Sequence, residues 1–163
     1  ATGLKINLVT PICFEATKAR LCRDLVLAAR EQQPGRPIVI VNMSNDGWFS
    51  SWSGRREQHL QAARWRSVEL GLPMVRAVNT GISCFIDARG NVRRTGFEGR
   101  ELRVRSEGVL VDLTRLPSPS RSTLYVRIGE VFGWGMLGAA ALLPCVSMLL
   151  SRRSRSNRSS LSA

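Results

Sequence analysis

The chain has 163 residues, 44% hydrophobic and 22% charged, which is enough apolar side chain for one folded domain and too much for a disordered segment. Its 24 Lys and Arg face 12 Asp and Glu, a net charge of +12, so the surface attracts anions such as phospholipid head groups or nucleic acid. The arginines are spread along the chain, with one compact cluster, RRSRSNR, at 152–158; this argues against a dedicated nucleic-acid stripe, and no nucleic-acid partner is expected.

The chain opens on Ala1, without a charged segment, apolar core or cleavage site of a leader, and reads as part of something longer. Leu4, Ile6 and Leu8 alternate with Lys5 and Asn7, the period of a half-buried strand running up to Cys13. From Thr17, apolar residues recur at Leu21, Leu25 and Ala28 and at Cys22, Val26 and Ala29, an amphipathic helix that Pro34 and Gly35 stop. Ile38 to Val41 are four consecutive aliphatics, the pattern of a strand covered on both faces. NDGWFSSWSG is a loop by its turn residues, and Arg55 to Leu70 returns to helical spacing, ending at Gly71 with Pro73 beyond. PMVRAVN, ISCFIDA and GVLVDL, the last from Gly108, read as three further strands. Strand and helix in alternation predict a mixed α/β layered domain over 1–115.

At 116–126 the composition shifts to Pro and Ser, as in an extended linker. Residues 131–150 then run without a charged side chain, and at 1.5 Å per residue this stretch matches a bilayer core of about 30 Å. A transmembrane helix is expected over 127–150. Arg152, Arg153, Arg155 and Arg158 follow it in a basic tail, 151–163, which the positive-inside rule keeps in the cytoplasm, leaving the folded domain on the other side.

The four cysteines, Cys13, Cys22, Cys84 and Cys145, form no C-x-x-C pair and have no histidine at zinc-ligand spacing, so neither a metal site nor a disulfide framework is expected. Cys22 and Cys84 fall in apolar patterns and Cys145 in the apolar run, where a thiol is a small filler. Cys13, in TPICFEAT, sits where a strand turns toward a helix, and such a turn exposes a thiol and surrounds it with backbone N–H groups. Glu15 beside it reads equally as a general base, an orienting acceptor or a solvated helix-start carboxylate. His59, the single histidine, lies among charged residues of a helix and reads as a solvated or supporting group.

Taken together, PICFE at 11–15, SNDGWF at 44–49 and QHLQAARWRSVELGLPMVRAVNTGISCFIDARG at 58–90, followed by an apolar helix, resemble the apolipoprotein N-acyltransferase family of the nitrilase (carbon-nitrogen hydrolase) superfamily. The resemblance implies a partial αββα sandwich, a bacterial inner-membrane setting with the domain on the extracytoplasmic side, and no cofactor. It implies Cys13 as nucleophile, the Phe14 main-chain N–H near the oxyanion, Glu15 supporting the site, and Trp48 and Phe49 near the acyl or lipid site. The implied donor is a phospholipid and the implied acceptor an apolipoprotein. The family also needs a glutamate base and a lysine ahead of the nucleophile, whereas only Lys5 precedes Cys13 here. The chain is therefore expected to be the C-terminal part of such an enzyme, inactive alone. An amidase of the same superfamily and a membrane-anchored basic binding module are the rival readings.

Overall fold

The computed structural model describes residues 3–49, 53–93, 108–131, 133–144 and 148. Contacts divide the chain into two units, Ala1–Arg127 and Ile128–Ala163.

The first unit is built on one five-stranded sheet in the order β1-β2-β3-β4-β5, with β1 Asn7–Val9, β2 Ile38–Asn45, β3 Met74–Asn79, β4 Cys84–Ile86 and β5 Val92–Arg93. β1, β2 and β3 run parallel, and β4 and β5 return antiparallel. Helix α1, Ala19–Gln32, connects β1 to β2, and α2, Ser53–Leu70, connects β2 to β3. Both connections step the same way across the sheet, so right-handed crossovers put both helices on one face, where they touch each other.

The core lies between that face and the helices. Register aligns Val9 with Ile40, Ile40 with Met74 and Met74 with Ile86, and this apolar row meets Cys22 and Val26 of α1 and Leu60 and Ala63 of α2. Each buried Val, Leu, Ile or Met contributes roughly 1.5–3 kcal/mol. α2 ends where Gly71 adopts φ 65°, with its N–H on Val68 O at 3.2 Å and that of Leu72 on Ser67 O at 3.1 Å. One step along the strands the row turns polar, because Asn42 stands opposite Arg76 and Arg76 opposite Cys84. Leu8, Val41, Met43, Val75 and Phe85 occupy the alternate positions and so point to the other face of the sheet.

The mixed α/β architecture matches the expectation from sequence, and a five-stranded sheet with helices on one face is compatible with part of a nitrilase-like sandwich. Several boundaries differ. The first strand stops at Val9 rather than reaching Cys13, because Pro11 has no N–H for the ladder. β2 runs on to Asn45, four residues past the aliphatic run, paired with β3. The strand expected from Gly108 is reduced to a single bridge at Leu110, with Val109, Val111 and Leu113 66%, 57% and 91% exposed; among the described residues no strand gives it a continuous ladder. Within the linker expected at 116–126, residues 121–126 are docked: Arg30 donates to Arg121 O at 2.9 Å, Arg23 donates to Val126 O at 3.0 Å, and Val126 is buried.

Helix α3, Leu124–Ile128, is short, and Gly129 at φ 64° follows it. A continuous helix from 127 is thereby interrupted, and helical backbone resumes at 131 and 133–144. Among the described residues no helix is long and apolar enough to cross a membrane. Residues 132, 145–147, 149 and 150 of the expected span, with the 151–163 tail, lie outside the described residues.

Candidate active site

Cys13 follows the carboxyl end of β1 at φ 51°, a left-handed conformation uncommon for any residue but glycine, and opens a 3-10 turn, Cys13–Thr17. Such a conformation costs about 1–3 kcal/mol and persists only where its surroundings enforce it. Here they do so from two sides. On the exposed side the Glu15 carboxylate accepts the Ile12 N–H at 2.7 Å, the Glu15 N–H donates to Ile12 O at 3.0 Å, and the Thr17 hydroxyl donates to Phe14 O at 2.7 Å. On the buried side the Asn42 amide donates to Pro11 O at 2.8 Å and reaches Cys13 O at 3.5 Å.

Behind this turn lies a buried polar network. Asn42 and Ser44 alternate along β2 with Asp46 just beyond, which aims all three toward the helix side of the sheet. Ser44 Oγ lies 3.5 Å from Cys13 Sγ and 3.0 Å from Asp46 Oδ1. The same carboxylate oxygen meets His59 Nδ1 of α2 at 2.9 Å, and Asp46 Oδ2 meets the Arg76 guanidinium of β3 at 3.5 Å. Arg76 also donates to the Asn42 side-chain oxygen. Asp46 and Asn42 are 0% exposed, Arg76 1% and His59 5%, so these four are shielded from water, while Ser44, between them and Cys13, is half-buried. Burial lowers the proton affinity of the Arg76 guanidinium, while Asp46 foremost, then Cys84 and Cys13, pull it back up. The Phe49 ring packs edge-on against His59 with centroids 5.7 Å apart, and Phe49 O accepts from Arg56 at 3.0 Å. The assembly sits at the carboxyl ends of β1 and β2, where parallel sheets open their ligand crevices.

The residues singled out from sequence fall on two turns that Asn42 and Ser44 join. Cys13 is half-buried; Phe14 is 59% exposed, with the Lys18 ammonium 4.8 Å over its ring. The Glu15 carboxylate caps the turn by accepting the Ile12 N–H at 2.7 Å. Trp48 is 85% exposed, and Phe49 reaches the site through its packing on His59. His59, read as solvated or supporting, is buried and bound to Asp46. Asp46, read as a turn former, is the hub of the network, and Ser44 and Arg76 were not singled out. The signal for them was polar residues at alternate positions of an otherwise apolar strand, N-x-S-x-D from Asn42, and an arginine inside MVRAV.

Cys22 and Cys84 are each 1% exposed, and burial above all pushes the Cys22 thiol up to about 11, so it stays protonated at neutral pH. Cys145 lies outside the described residues. Among the described residues no three His, Cys, Asp or Glu side chains converge as a metal site requires. A cavity of about 590 Å³ opens between the end of β4 and residues 112–121, lined by Phe85, Asp87, Arg93, Asp112 and Arg115 among others; Cys13 does not line it.

No family model matches the chain. It is 45% identical over 120 residues to the apolipoprotein N-acyltransferase of Rhodopseudomonas palustris, which covers 74% of this chain and 20% of that protein. It is 40% identical over 144 residues to that of Bradyrhizobium diazoefficiens, covering 88% of this chain and 22% of the relative, and 34% identical over 136 residues to that of Geobacter metallireducens, covering 83% and 23%. The resemblance read from the motifs holds: the chain is a relative of the apolipoprotein N-acyltransferases and matches them along about a fifth of their length.

Proposed function

We propose that this chain supplies the nucleophile of a membrane-bound N-acyltransferase that moves a fatty acyl group from a phospholipid, through a thioester on Cys13, to the N-terminal cysteine amine of an apolipoprotein. The observation that carries the reading is Cys13: a half-buried thiol held at φ 51° at the carboxyl end of β1, in a relative of proteins of that name. In the first half-reaction the Cys13 thiolate attacks the ester carbonyl carbon, and the tetrahedral oxyanion collapses with loss of the lysophospholipid alkoxide. That alkoxide takes the proton the thiol gave up. In the second, the acceptor amine attacks the thioester carbonyl, an amide forms, and the sulfur leaves as thiolate while the amine proton passes to the base. Splitting the transfer in two lets one site handle a lipid and then a peptide.

The Phe14 main-chain N–H faces the developing oxyanion in this reading, and Glu15 keeps the turn in shape for it. Ile12, Phe14 and Trp48, 55%, 59% and 85% exposed, form the apolar rim for the acyl chain, with Phe49 behind them. The base and the oxyanion-stabilising lysine come from residues outside this chain, since no glutamate precedes Cys13 and Lys5 belongs to the segment leading into β1. The chain alone is then inactive. The apolar run 131–150 anchors the protein in the bacterial inner membrane, with the folded unit on the extracytoplasmic side and the basic tail in the cytoplasm.

Cys13→Ala in the full-length protein tests this. Acyl transfer is expected to fall by on the order of 10³-fold or more with membrane insertion retained. The wild-type Cys13 peptide should carry a hydroxylamine-sensitive adduct of acyl mass. Undiminished transfer by the variant, or an acyl adduct on another residue, removes the reading.

A further inference from the structure

We infer that the Ser44 hydroxyl is the donor that stabilises the Cys13 thiolate, and that Asp46, held by His59 and Arg76, is the positioning residue that keeps this hydroxyl ready. The inference deepens the proposed function and rests on Cys13 being the nucleophile. Ser44 has one hydroxyl hydrogen and two acceptors in reach, Asp46 Oδ1 at 3.0 Å and Cys13 Sγ at 3.5 Å. While the sulfur is a neutral thiol, the carboxylate is the stronger acceptor and holds that hydrogen, leaving the oxygen lone pairs toward the S–H. When a base removes the thiol proton, the sulfur becomes a second anion, and rotation about the Cβ–Oγ bond turns the hydrogen to it. No bond to Ser44 breaks, and Ser44 never takes the proton.

Asp46 can release that hydrogen because Oδ1 keeps the His59 Nδ1–H at 2.9 Å and Oδ2 keeps Arg76. The charged and titratable groups linked to the sulfur are thus Asp46 beyond Ser44, the buried Arg76 cation of β3 and His59 of α2 through Asp46, while the Glu15 carboxylate of its own turn lies on the exposed side, on the Ile12 N–H.

The test is the rate at which iodoacetamide labels Cys13 in the full chain, followed peptide by peptide by mass spectrometry from neutral to strongly alkaline pH. Ser44→Ala is expected to slow labelling about tenfold near neutral pH, the loss of one hydrogen bond to a charged group. The gap should close at alkaline pH, and Ser44→Thr, which keeps the hydroxyl, should restore the wild-type curve. A Ser44→Ala curve that superimposes on the wild type, or lies below it by one constant factor at every pH, overturns the inference. New labelling of buried Cys22 would report unfolding of the alanine variant; Ser44→Gly, which removes the hydroxyl without adding a second ionisable thiol, then takes its place, and its curve supports or overturns the inference in the same way. Labelling needs no acyl donor, so the two readings fail separately. Ser44-dependent labelling of a Cys13 that is dispensable for transfer sinks the proposed function alone. An essential Cys13 whose labelling ignores Ser44 sinks this inference alone.

Discussion

Gly81 sets the tolerance of the buried network. Its backbone is of an ordinary kind, but a Cβ there would lie 2.5 Å from Asp46 Oδ2 and 2.5 Å from Val78 Cγ1, both packed side chains. Something must move, and the Asp46 carboxylate is pinned by His59 and Ser44 on one oxygen and Arg76 on the other. Gly81→Ala is therefore expected to cost about 1–3 kcal/mol, as overpacking does. It should also slow acyl transfer, because the shift is passed through Ser44 to the sulfur. Thermal unfolding and turnover of the full-length protein check both, and an unchanged midpoint with unchanged turnover contradicts the tight fit. The turn that holds Cys13 was legible in the sequence, since TPICFEAT marks where an apolar strand gives way to a helix. Its partners were not, because Asp46 and His59 are separated by a helical connection and Arg76 by a strand, and only the folded register brings them together. A buried ion pair is also the least expected local reading of an arginine inside an apolar strand, and tertiary structure overrode it.

At the scale of elements, the β4–β5 connection is a small, complete device. The Asp87 carboxylate accepts the N–H of Arg89 at 2.8 Å, the N–H of Asn91 at 2.9 Å and the Asn91 side-chain amide at 2.9 Å, and Gly90 supplies φ 82°. Burial pushes this carboxyl up, but the Asn91 side chain, the two backbone donors and the Arg93 charge together hold it below its ordinary value of 3.8. A carboxyl with a depressed folded value stabilises the native state above its unfolded value, and that stability is lost as pH falls through the folded one. Asp87→Ala is accordingly expected to cost about 1 kcal/mol at neutral pH, modest because the turn faces water. The difference from wild type should shrink once the pH drops below its ordinary value of 3.8. Denaturant titrations at both pH values check this, and a pH-independent gap would mean that Asp87 acts through shape alone. This turn, both main helices and β2 to β4 could be read from periodicity and from Gly and Pro placement. The strand expected at 108–113 failed on the same criterion, since alternation states which side chains share a face but not whether a neighbouring strand exists to pair with them.

For the whole molecule, the informative surface is the sheet face turned away from α1 and α2. Leu8 is 58% and Met43 50% exposed there, beside half-buried Val41, Val75 and Phe85, and apolar patches of this kind mark an interface. An αββα sandwich would cover this face with a second sheet, and the present chain corresponds to about a fifth of its relatives' length. In plain buffer the chain is therefore expected to associate through this face. The apolar run at 131–150 can also drive association, and the two respond to different changes. Leu8→Lys with Met43→Lys places two charges on the sheet face at alternate strand positions, far from any core contact of the helices, and leaves the run intact. Sedimentation velocity should then show a large shift from aggregate toward monomer if the sheet face drives association. An unchanged distribution would assign association to the run, and a monomeric, cooperative unfolding transition of the unaltered chain in plain buffer would mean that the face needs no cover at all.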